Sequence, residues 1–422
     1  MAQAEATRGA VQERPVSRRD SNMFVAIMII SAHSMQHIYT RGFVVVLPFM
    51  MESVGFGTLA AGMLDGIRRI CSGVASMGGG VLTDRFQHLR GYILAGSIGL
   101  MGFGYLIVGL FPSYYVILVA VGFAAAAGSI WHPPALGILS QRFPERRGFY
   151  ISLHRSAGNT GETIAPVAFG LIMAVFVWQA VLLGVFPFAA LVAIAILIFL
   201  RNVGGVKRQL AQGEERSLRE QMGSIGKLFK VRGFVALLFV GGVRGIADNA
   251  MLLFLPIYLR QNLDMGPIGI GLHVSLLTAV AIVSGPLFGS LSDKMGRGPV
   301  IFMIMAASTV IMSFMIFFDN GITLAILVAL AGIFMFSVNS LTQAGSMDMA
   351  EGMNLEGSMI GLLWGVNALF GAASPIILGV LTLTFGVEVF FIYAAAFYAV
   401  GTLASLALPE VTGKWVRNPA TR

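Results

Sequence analysis

The chain has few charged residues and almost no cysteine. Of its 422 residues, 11% are charged and 56% are hydrophobic, whereas roughly a quarter of a soluble domain is charged. The mean hydropathy is +0.82. The composition therefore indicates an integral membrane protein. A single cysteine, Cys71, excludes an internal disulfide framework and a cysteine-based metal cluster.

Catalytic signatures are also missing. We find no nucleophile–base pair, no P-loop and no dinucleotide-binding fingerprint, so we expect neither an enzyme nor a cofactor. The longest polar connection spans only residues 201–233, which is too short for an appended signalling domain and argues against a receptor. The net charge of +8 would suit a nucleic-acid partner. Membrane topology explains this charge better, and no nucleic-acid partner is expected.

Apolar runs long enough to cross a bilayer dominate the rest of the chain. About 20 residues span the hydrocarbon core. The polar, basic residues 1–22 precede a run of that length, which predicts a tail and a retained first helix rather than a cleaved signal peptide. We predict an all-α membrane protein with twelve helices, at residues 23–49, 58–82, 92–111, 114–139, 149–172, 177–200, 233–259, 268–291, 299–318, 322–345, 357–383 and 387–408.

The loops predict the orientation of these helices. Connections on the side of the two termini carry almost all the loop Lys and Arg, whereas the opposite loops carry one, Arg260. Positively charged loops stay in the cytoplasm. Both termini are therefore predicted to be cytoplasmic, in the inner (plasma) membrane.

Two landmarks repeat at a shift of 209 positions. The segment "GVLTDR" begins at Gly80 and "GSLSDK" at Gly289, and Pro166 is matched by Pro375. Two homologous six-helix halves follow, with a substrate site expected between them. The predicted organisation is a cytoplasmic tail (1–22), an N-terminal bundle (23–200), a cytoplasmic linker (201–232), a C-terminal bundle (233–408) and a second tail (409–422).

These motifs resemble those of a known family. "GVLTDRFQHLRG" (80–91) and "GSLSDKMGRG" (289–298) are similar to the loop signature of the major facilitator superfamily, although Gln87 stands where Gly is usual. "GNTGETIAPVAFG" (158–170) resembles the fifth-helix motif of its exporters, with Ala165 at a Gly position. "WHPPALGILSQRFPERRGFYISLHRSAGNTG" (131–161) is similar to the fosmidomycin-resistance-type efflux branch. The resemblance implies the major facilitator fold and alternating access.

The duplicated loop motif is predicted to act in gating. A carboxylate at a helix end can bond a basic side chain or cap a neighbouring helix, and such contacts exist only while that side is closed. The predicted gating charges are Asp84, Arg85, Asp293, Lys294 and Arg297. Pro166 and Pro375 remove a backbone donor and bend their helices, so we add them to the gating set, with an ordinary kink as the alternative.

Ionisable residues inside the spans are functional hypotheses by default. Five arginines and three acids lie there, an excess of positive charge that suggests an anionic or zwitterionic substrate. Predicted substrate-binding residues are Arg68, Arg69, Arg155, Arg244, His33, His37 and Asn159; the family resemblance adds Trp364 and Asn367. Glu162 and Asp248, and less strongly Asp65, are predicted to couple protons.

Plainer alternatives stay open for several of these residues. Each acid could form a permanent ion pair between helices, and Arg41 could snorkel to the outer surface. His33 and His37, four apart on one helix face, would suit a metal, but no third ligand is evident and no metal site is predicted. His132 and His154 could simply hydrogen-bond between the fourth and fifth helices.

The sequence therefore predicts a proton-coupled exporter of a small organic solute. Protons, membrane lipid and a small-molecule substrate are the expected partners, and we expect a monomer. Two other functions remain open: import of a carboxylate by proton symport, and export of a siderophore or metal chelate.

Overall fold

The computed structural model describes residues 21–203, 229, 233–350 and 356–408, and within those ranges the chain is helical without strands. The predicted tails and central linker fall largely outside the described residues. The helices are α1 (Asn22–Val54), α2 (Thr58–Arg85), α3 (Arg90–Leu110), α4 (Tyr114–Ser129), α5 (His132–Arg142), α6 (Arg147–Met173), α7 (Trp178–Leu200), α8 (Phe234–Gln261), α9 (Pro267–Ala279), α10 (Ala281–Met295), α11 (Arg297–Met315), α12 (Gly321–Ala350), α13 (Glu356–Phe385) and α14 (Val389–Ser405).

Twelve helical passages result, because two of the predicted spans are each divided into two helices. The break between α4 and α5 falls at Ile130 and Trp131, just before Pro133 and Pro134. Neither proline has an amide hydrogen to bond the carbonyl four residues earlier, so the α4 ladder ends there. A second break, at Val280, separates α9 from α10. The predicted all-α fold with twelve membrane passages is confirmed. Each of these two passages consists of two helices and not of the single helix predicted.

Among the described residues, eight helical segments are long and apolar enough to cross a membrane. Helices α1, α2 and α6 are long enough but are not among them, and these three carry most of the ionisable side chains of the N-terminal half. The remaining passage, α14, is apolar but shorter. Large apolar side chains such as Tyr115, Val175 and Phe317 are exposed, as expected of a surface that faces lipid.

The helices pack as two groups. Helices α1 to α7 contact one another mainly through the pairs α1–α6, α2–α4, α3–α4 and α3–α7, and the second group uses α8–α14, α8–α13, α11–α14 and α11–α12. The halves meet where α2 lies against α13, α6 against α9, and α1 against α8. Several of the charged and polar side chains of α2, α6 and α8 described below lie along these contacts.

The contacts between the halves follow the 209-residue repeat. Gly62 of α2 lies so close to the carbonyl oxygen of Pro375 on α13 that a Cβ there would collide with it. Gly271 of α9 has the same relation to Pro166 on α6. Each of the two helix pairs therefore contributes an equivalent close approach of a glycine to a proline carbonyl, which only a residue without a side chain permits.

The same symmetry extends toward one end of the molecule. Gly170 packs on Pro267, as Gly379 packs on Thr58. Ser275 donates to the carbonyl oxygen of Thr163 at 2.7 Å and accepts from the amide of Val167 at 3.2 Å. We call this end, formed by the turns at 55–57 and 262–266, the sealed end.

Polar pairs also join the halves at the sealed end. The hydroxyl groups of Thr58 and Thr382 lie 2.6 Å apart, and Arg260 bonds Glu52 at 2.7 Å and its neighbour Asp264 at 2.7 Å. The Arg260–Glu52 pair is partly exposed, and such a pair contributes no more than about 1 kcal/mol. Close packing of backbone at the glycines and the buried Thr58–Thr382 contact therefore contribute more to closing this end than the exposed ion pair does.

Candidate functional site

Asp65 on α2 anchors two arginines. Its Oδ1 accepts from Arg68 Nε at 2.8 Å, and its Oδ2 accepts from Arg69 Nε at 2.6 Å. The spacings i, i+3 and i, i+4 place all three groups on neighbouring positions of one helix. Asp65 is only 6% exposed. One carboxylate therefore serves two guanidinium groups, and one positive charge in this group is left without a carboxylate of its own.

The two arginines point to different surroundings. Arg68 and Asp65 line a small, mostly apolar cavity between α1, α2 and α8. Arg69 lies at the same interface but reaches further across it, where its Nη1 lies near Gly371 of α13 and its charge interacts with Asp248 of α8. Arg68 therefore faces the C-terminal half at α8, and Arg69 faces it at α8 and α13.

Helix α8 carries the second charged group. Arg244 Nη1 bonds Asp248 Oδ2 at 2.6 Å, and the hydroxyl of Tyr398 on α14 donates to the other carboxylate oxygen. Arg244 and Asp248 are both nearly inaccessible to solvent, and Arg244 Nε has no hydrogen-bond partner within the described structure. Breaking a buried pair of this kind typically costs about 3–5 kcal/mol.

The polar face of α6 lies opposite the C-terminal half. Arg155 Nη1 donates to Oε1 of Gln343 on α12 at 2.9 Å, and the Thr163 carbonyl bonds Ser275 of α9. Asn159 lies one turn from each of these positions, so it shares their face. Asn159 is nevertheless exposed. A solvent-accessible gap between the halves therefore borders the middle of α6.

Glu162, one turn further along α6, has both carboxylate oxygens occupied. Oε1 lies 2.9 Å from His37 Nδ1, and Oε2 accepts from Arg41 Nη2 at 2.8 Å. Arg41 is therefore turned into the protein to form an ion pair with Glu162, and the alternative that it snorkels to the surface is wrong for this structure. Arg155 interacts electrostatically with Glu162 and with Arg244, which places the charged groups of the two halves within range of one another.

Four histidines gather beside Glu162. His33 and His37 on α1, His132 on α5 and His154 on α6 form what we call the histidine cluster. The rings of His33 and His154 are stacked with centroids 3.7 Å apart, and the His33 ring lies 4.5 Å from His37 and 5.2 Å from His132. A Cβ at residue 158 would collide with His33, so Gly158 allows α6 to approach α1 closely enough for the stack.

Positive charge exceeds negative charge in these groups. Arg68 and Arg69 share one carboxylate, and the described partner of Arg155 is a neutral amide. A guanidinium at the centre of a membrane helix costs about 2.5–3.5 kcal/mol, so such charges are retained only when paired or used. The surplus lies on α2 and α6, where each faces the other half.

The predicted gating residues occupy different places. Asp293 bonds Arg297 at 2.6 Å, and Arg297 also bonds Asp348 of α12 at 3.1 Å, which ties α10, α11 and α12 together; Lys294 is exposed. The side chains of Asp84 and Arg85 lie outside the described residues, as does that of Trp364. Asn367 lies against Gly245 of α8. The gating and binding roles stay predictions.

Several residues of the site were not selected from the sequence. His132, His154, Tyr398 and Gln343 each contact a predicted site residue from another helix. The Trp-His-Pro-Pro segment was a usable signal, since the prolines fix a helix start beside His132. No local pattern marks Tyr398 or Gln343, because their partners are distant in sequence.

The twelve helical passages of the described ranges form two packed groups with polar residues between them, an arrangement that defines a multi-pass membrane transporter. The family model described as "Major Facilitator Superfamily" matches residues 24–350 and 237–422. The chain belongs to that superfamily and is therefore a transporter of small molecules, not an enzyme.

Two bacterial relatives carry substrate names. A "Probable 4-methylmuconolactone transporter" of Cupriavidus pinatubonensis is 24% identical over 395 residues, covering 88% of this chain and 87% of the relative. A "Probable sulfoacetate transporter" of Cupriavidus necator is 24% identical over 386 residues, covering 86% and 88%. Neither name refers to fosmidomycin resistance, and the assignment to that branch remains a prediction.

Solved structures show the same fold. A bacterial homolog of the human lysosomal transporter Spinster superposes with a TM-score of 0.77 at 15% identity, covering 94% of this chain and 99% of that one. The nucleoside transporter NupG gives a TM-score of 0.74 at 13% identity, covering 91% and 99%. At this level of identity the likeness concerns the fold alone.

Proposed function

We propose that the protein exports a small anionic or zwitterionic organic solute in exchange for protons, by alternating access across the inner (plasma) membrane. The surplus of positive charge at the interface between the halves carries this proposal. Arg69, Arg155 and Arg244 supply guanidinium groups there, and guanidinium groups bind carboxylates, sulfonates and phosphonates through paired hydrogen bonds.

Two further observations support an anionic substrate. Asn159 adds an exposed amide on the same face of α6 as Arg155, so donors and acceptors are present beside the charges. The two curated relatives are named for 4-methylmuconolactone and sulfoacetate. Their names give no direction of transport, and export rests on the resemblance of the 131–161 and 158–170 segments to efflux proteins.

The distribution of basic residues gives the orientation. Arg260 lies at the sealed end, whereas the turns at the other end are rich in Lys and Arg. Under the positive-inside rule the sealed end faces outward and both termini face the cytoplasm. The structure then corresponds to a state closed on the outside. We propose that the protein works as a monomer.

Protons are proposed to act through Glu162 and Asp248. Each carboxylate is bonded to an arginine, Glu162 to Arg41 and Asp248 to Arg244. A proton on either acid would remove its charge and free the arginine to bind substrate or to move. Proton binding and anion binding would then alternate at neighbouring groups.

The anion site is tested by Arg155→Gln. Purified protein is first screened with sulfoacetate, 4-methylmuconolactone and fosmidomycin for a compound that raises the apparent melting temperature. Loss of one charge-assisted hydrogen bond is expected to weaken binding of that compound about 10- to 100-fold. The matched control is Arg142→Gln. Arg142 bonds Asn22 at the start of α1, at the end of the molecule opposite the sealed end and away from the interface between the halves. Equal affinities in both variants would refute the proposed site.

Proton coupling is tested by Glu162→Gln. In proteoliposomes the variant is expected to lose accumulation driven by a pH gradient, because the amide cannot take up and release a proton. Substrate exchange without a gradient is measured in parallel to show that the protein is folded. Vesicles are sorted by orientation, which also tests the proposed direction. Wild-type accumulation by the Gln variant would exclude coupling through Glu162.

A further inference from the structure

The arginine of α6 that faces the gap between the halves is bonded to a side chain of the opposite half. Arg155 Nη1 donates to Gln343 Oε1 at 2.9 Å. Helices α6 and α12 both pack on α9, and this bond joins them through the ends of two long side chains. Carboxylates instead bond the other arginines of the site, which are Arg41, Arg68, Arg69 and Arg244. Arg155 differs from them because its described partner is a neutral amide.

This bond lies on the side of the gap away from the sealed end. Arg155 precedes Gly170, which packs on Pro267 at the sealed end, by fifteen residues, or about 22 Å along α6. Asn159, which is exposed to the gap, lies one turn nearer the sealed end. The bond between Arg155 and Gln343 therefore crosses the gap between Asn159 and the opposite end of the molecule.

Gln343 is held only weakly by its own helix. Its Nε2 lies 3.5 Å from Oδ1 of Asn339, one turn earlier on α12, and a contact of that length is at the limit of a hydrogen bond. Gln343 is half-buried, and Arg155 is exposed. Rotation of the Gln343 side chain away from Arg155 would therefore break one good hydrogen bond and leave the guanidinium facing the gap.

An anion can replace Gln343 at Arg155. The amide presents one oxygen to one nitrogen of the guanidinium, Nη1. A carboxylate or sulfonate can accept two parallel N–H bonds from the same guanidinium, and the attraction of opposite charges strengthens both. A neutral carbonyl group offers no more than Gln343 already supplies. Gln343 would therefore give way to an anion more readily than to a neutral solute.

We propose that Gln343 competes with the anionic substrate for Arg155: it joins the two halves while the site is empty and is displaced when a carboxylate or sulfonate binds. The displacement rests on the proposed function, whereas the joining of the empty halves does not. A competing residue lowers the apparent affinity, because only protein in which Arg155 is released can bind. A residue that bonded the substrate directly would raise the affinity, so the two roles predict opposite results when Gln343 is replaced.

The competition is tested with Gln343→Leu, which removes the amide oxygen. The probe is whichever of sulfoacetate, 4-methylmuconolactone and fosmidomycin raises the melting temperature of the purified wild type. Binding of the probe is expected to tighten about 2- to 10-fold, the factor that corresponds to one hydrogen bond. Gln343→Glu is expected to weaken binding about tenfold or more, because its carboxylate competes as an anion. Unchanged or weaker binding in Gln343→Leu would overturn the proposal, as would unchanged or tighter binding in Gln343→Glu.

The matched control for Gln343→Leu is Gln141→Leu. Gln141 Oε1 accepts from Arg90 Nη1 at 2.8 Å, so the control breaks an arginine–glutamine bond that lies within the N-terminal half. Its affinity for the probe is expected to equal that of the wild type. A gain in affinity as large as that of Gln343→Leu would overturn the proposal, because the effect would then not depend on Arg155.

The joining of the halves is tested without any ligand. Spin labels at Phe149→Cys, near the start of α6, and at Met295→Cys, at the end of α10, occupy exposed positions in a Cys71→Ser background. Helix α10 packs on α12, so the two labels report on the two halves. The mean distance between them is expected to increase in Gln343→Leu and to stay unchanged in Gln141→Leu. An unchanged distance in Gln343→Leu would overturn the proposal. If none of the three compounds binds the wild type, the proposed anion site fails, and the label distances still decide whether Gln343 joins the halves.

Discussion

Gly62→Ala is expected to separate the two halves at the sealed end. The added methyl group would collide with the carbonyl oxygen of Pro375, which is backbone and cannot rotate away. Overpacking of this kind costs about 1–3 kcal/mol, enough to shift a two-state equilibrium by about 5- to 150-fold. Gly271→Ala is expected to act alike, because Gly271 meets Pro166 in the equivalent position.

The shift is measured as a distance between spin labels. Labels at Tyr115→Cys and Phe317→Cys, both exposed near this end, report on the two halves in a Cys71→Ser background. The distance is expected to increase in Gly62→Ala and Gly271→Ala. The control is Gly78→Ala on the same helix as Gly62, since nothing lies within 4 Å of a Cβ at Gly78. Equal distances in all three variants would mean that the glycine contacts do not close this end.

Asp65→Asn is expected to destabilise the protein more than any other single carboxylate change in the N-terminal half. Asp65 is buried, and the substitution leaves the partly buried Arg68 and Arg69 without an anion. Removal of one partner from a buried ion pair costs about 3–5 kcal/mol. A lower melting temperature and a smaller monodisperse fraction in detergent would report this loss. Arg68→Gln should cost less, because Asp65 would still bond Arg69.

The matched control for Asp65→Asn is Asp264→Asn. Asp264 also bonds an arginine four residues away, Arg260, but its side chain is 90% exposed. Solvent replaces the lost interaction there, so the melting temperature is expected to change little. A similar decrease in melting temperature in Asp65→Asn and Asp264→Asn would show that Asp65 does not neutralise its two arginines in the way the geometry indicates.

The membrane passages could be predicted from the sequence because each depends on local composition. Ser21 caps α1 next to the predicted start at residue 23, whereas Gly55 ends the helix in a left-handed conformation six residues beyond the predicted end at residue 49. The breaks inside the fourth and eighth spans were missed, since the apolar runs continue across them. Pro133 and Pro134 explain the first break, and they were present as a signal in the sequence.

The site was only partly predictable. The Asp65–Arg68–Arg69 group follows from helical spacing alone, and so does the Arg244–Asp248 pair. Contacts between helices do not follow from spacing: Arg41 and Glu162 are far apart in the chain, and nothing local shows that Arg41 turns inward. The 209-residue repeat indicated which helices correspond, but not that glycines would meet proline carbonyls where the halves join.

The sealed end includes two close approaches of a glycine to a main-chain carbonyl oxygen, whereas the charged site is built from side chains. Gly62 and Gly271 contact carbonyl oxygens, which are the same whatever residue supplies them. Under the proposed function, changes of substrate preference at Arg155, Asn159 or Gln343 are therefore expected to leave the contacts of the sealed end in place. A library confined to these three positions should yield mostly folded proteins that still change conformation, which makes this chain a practical scaffold for altered-specificity transporters.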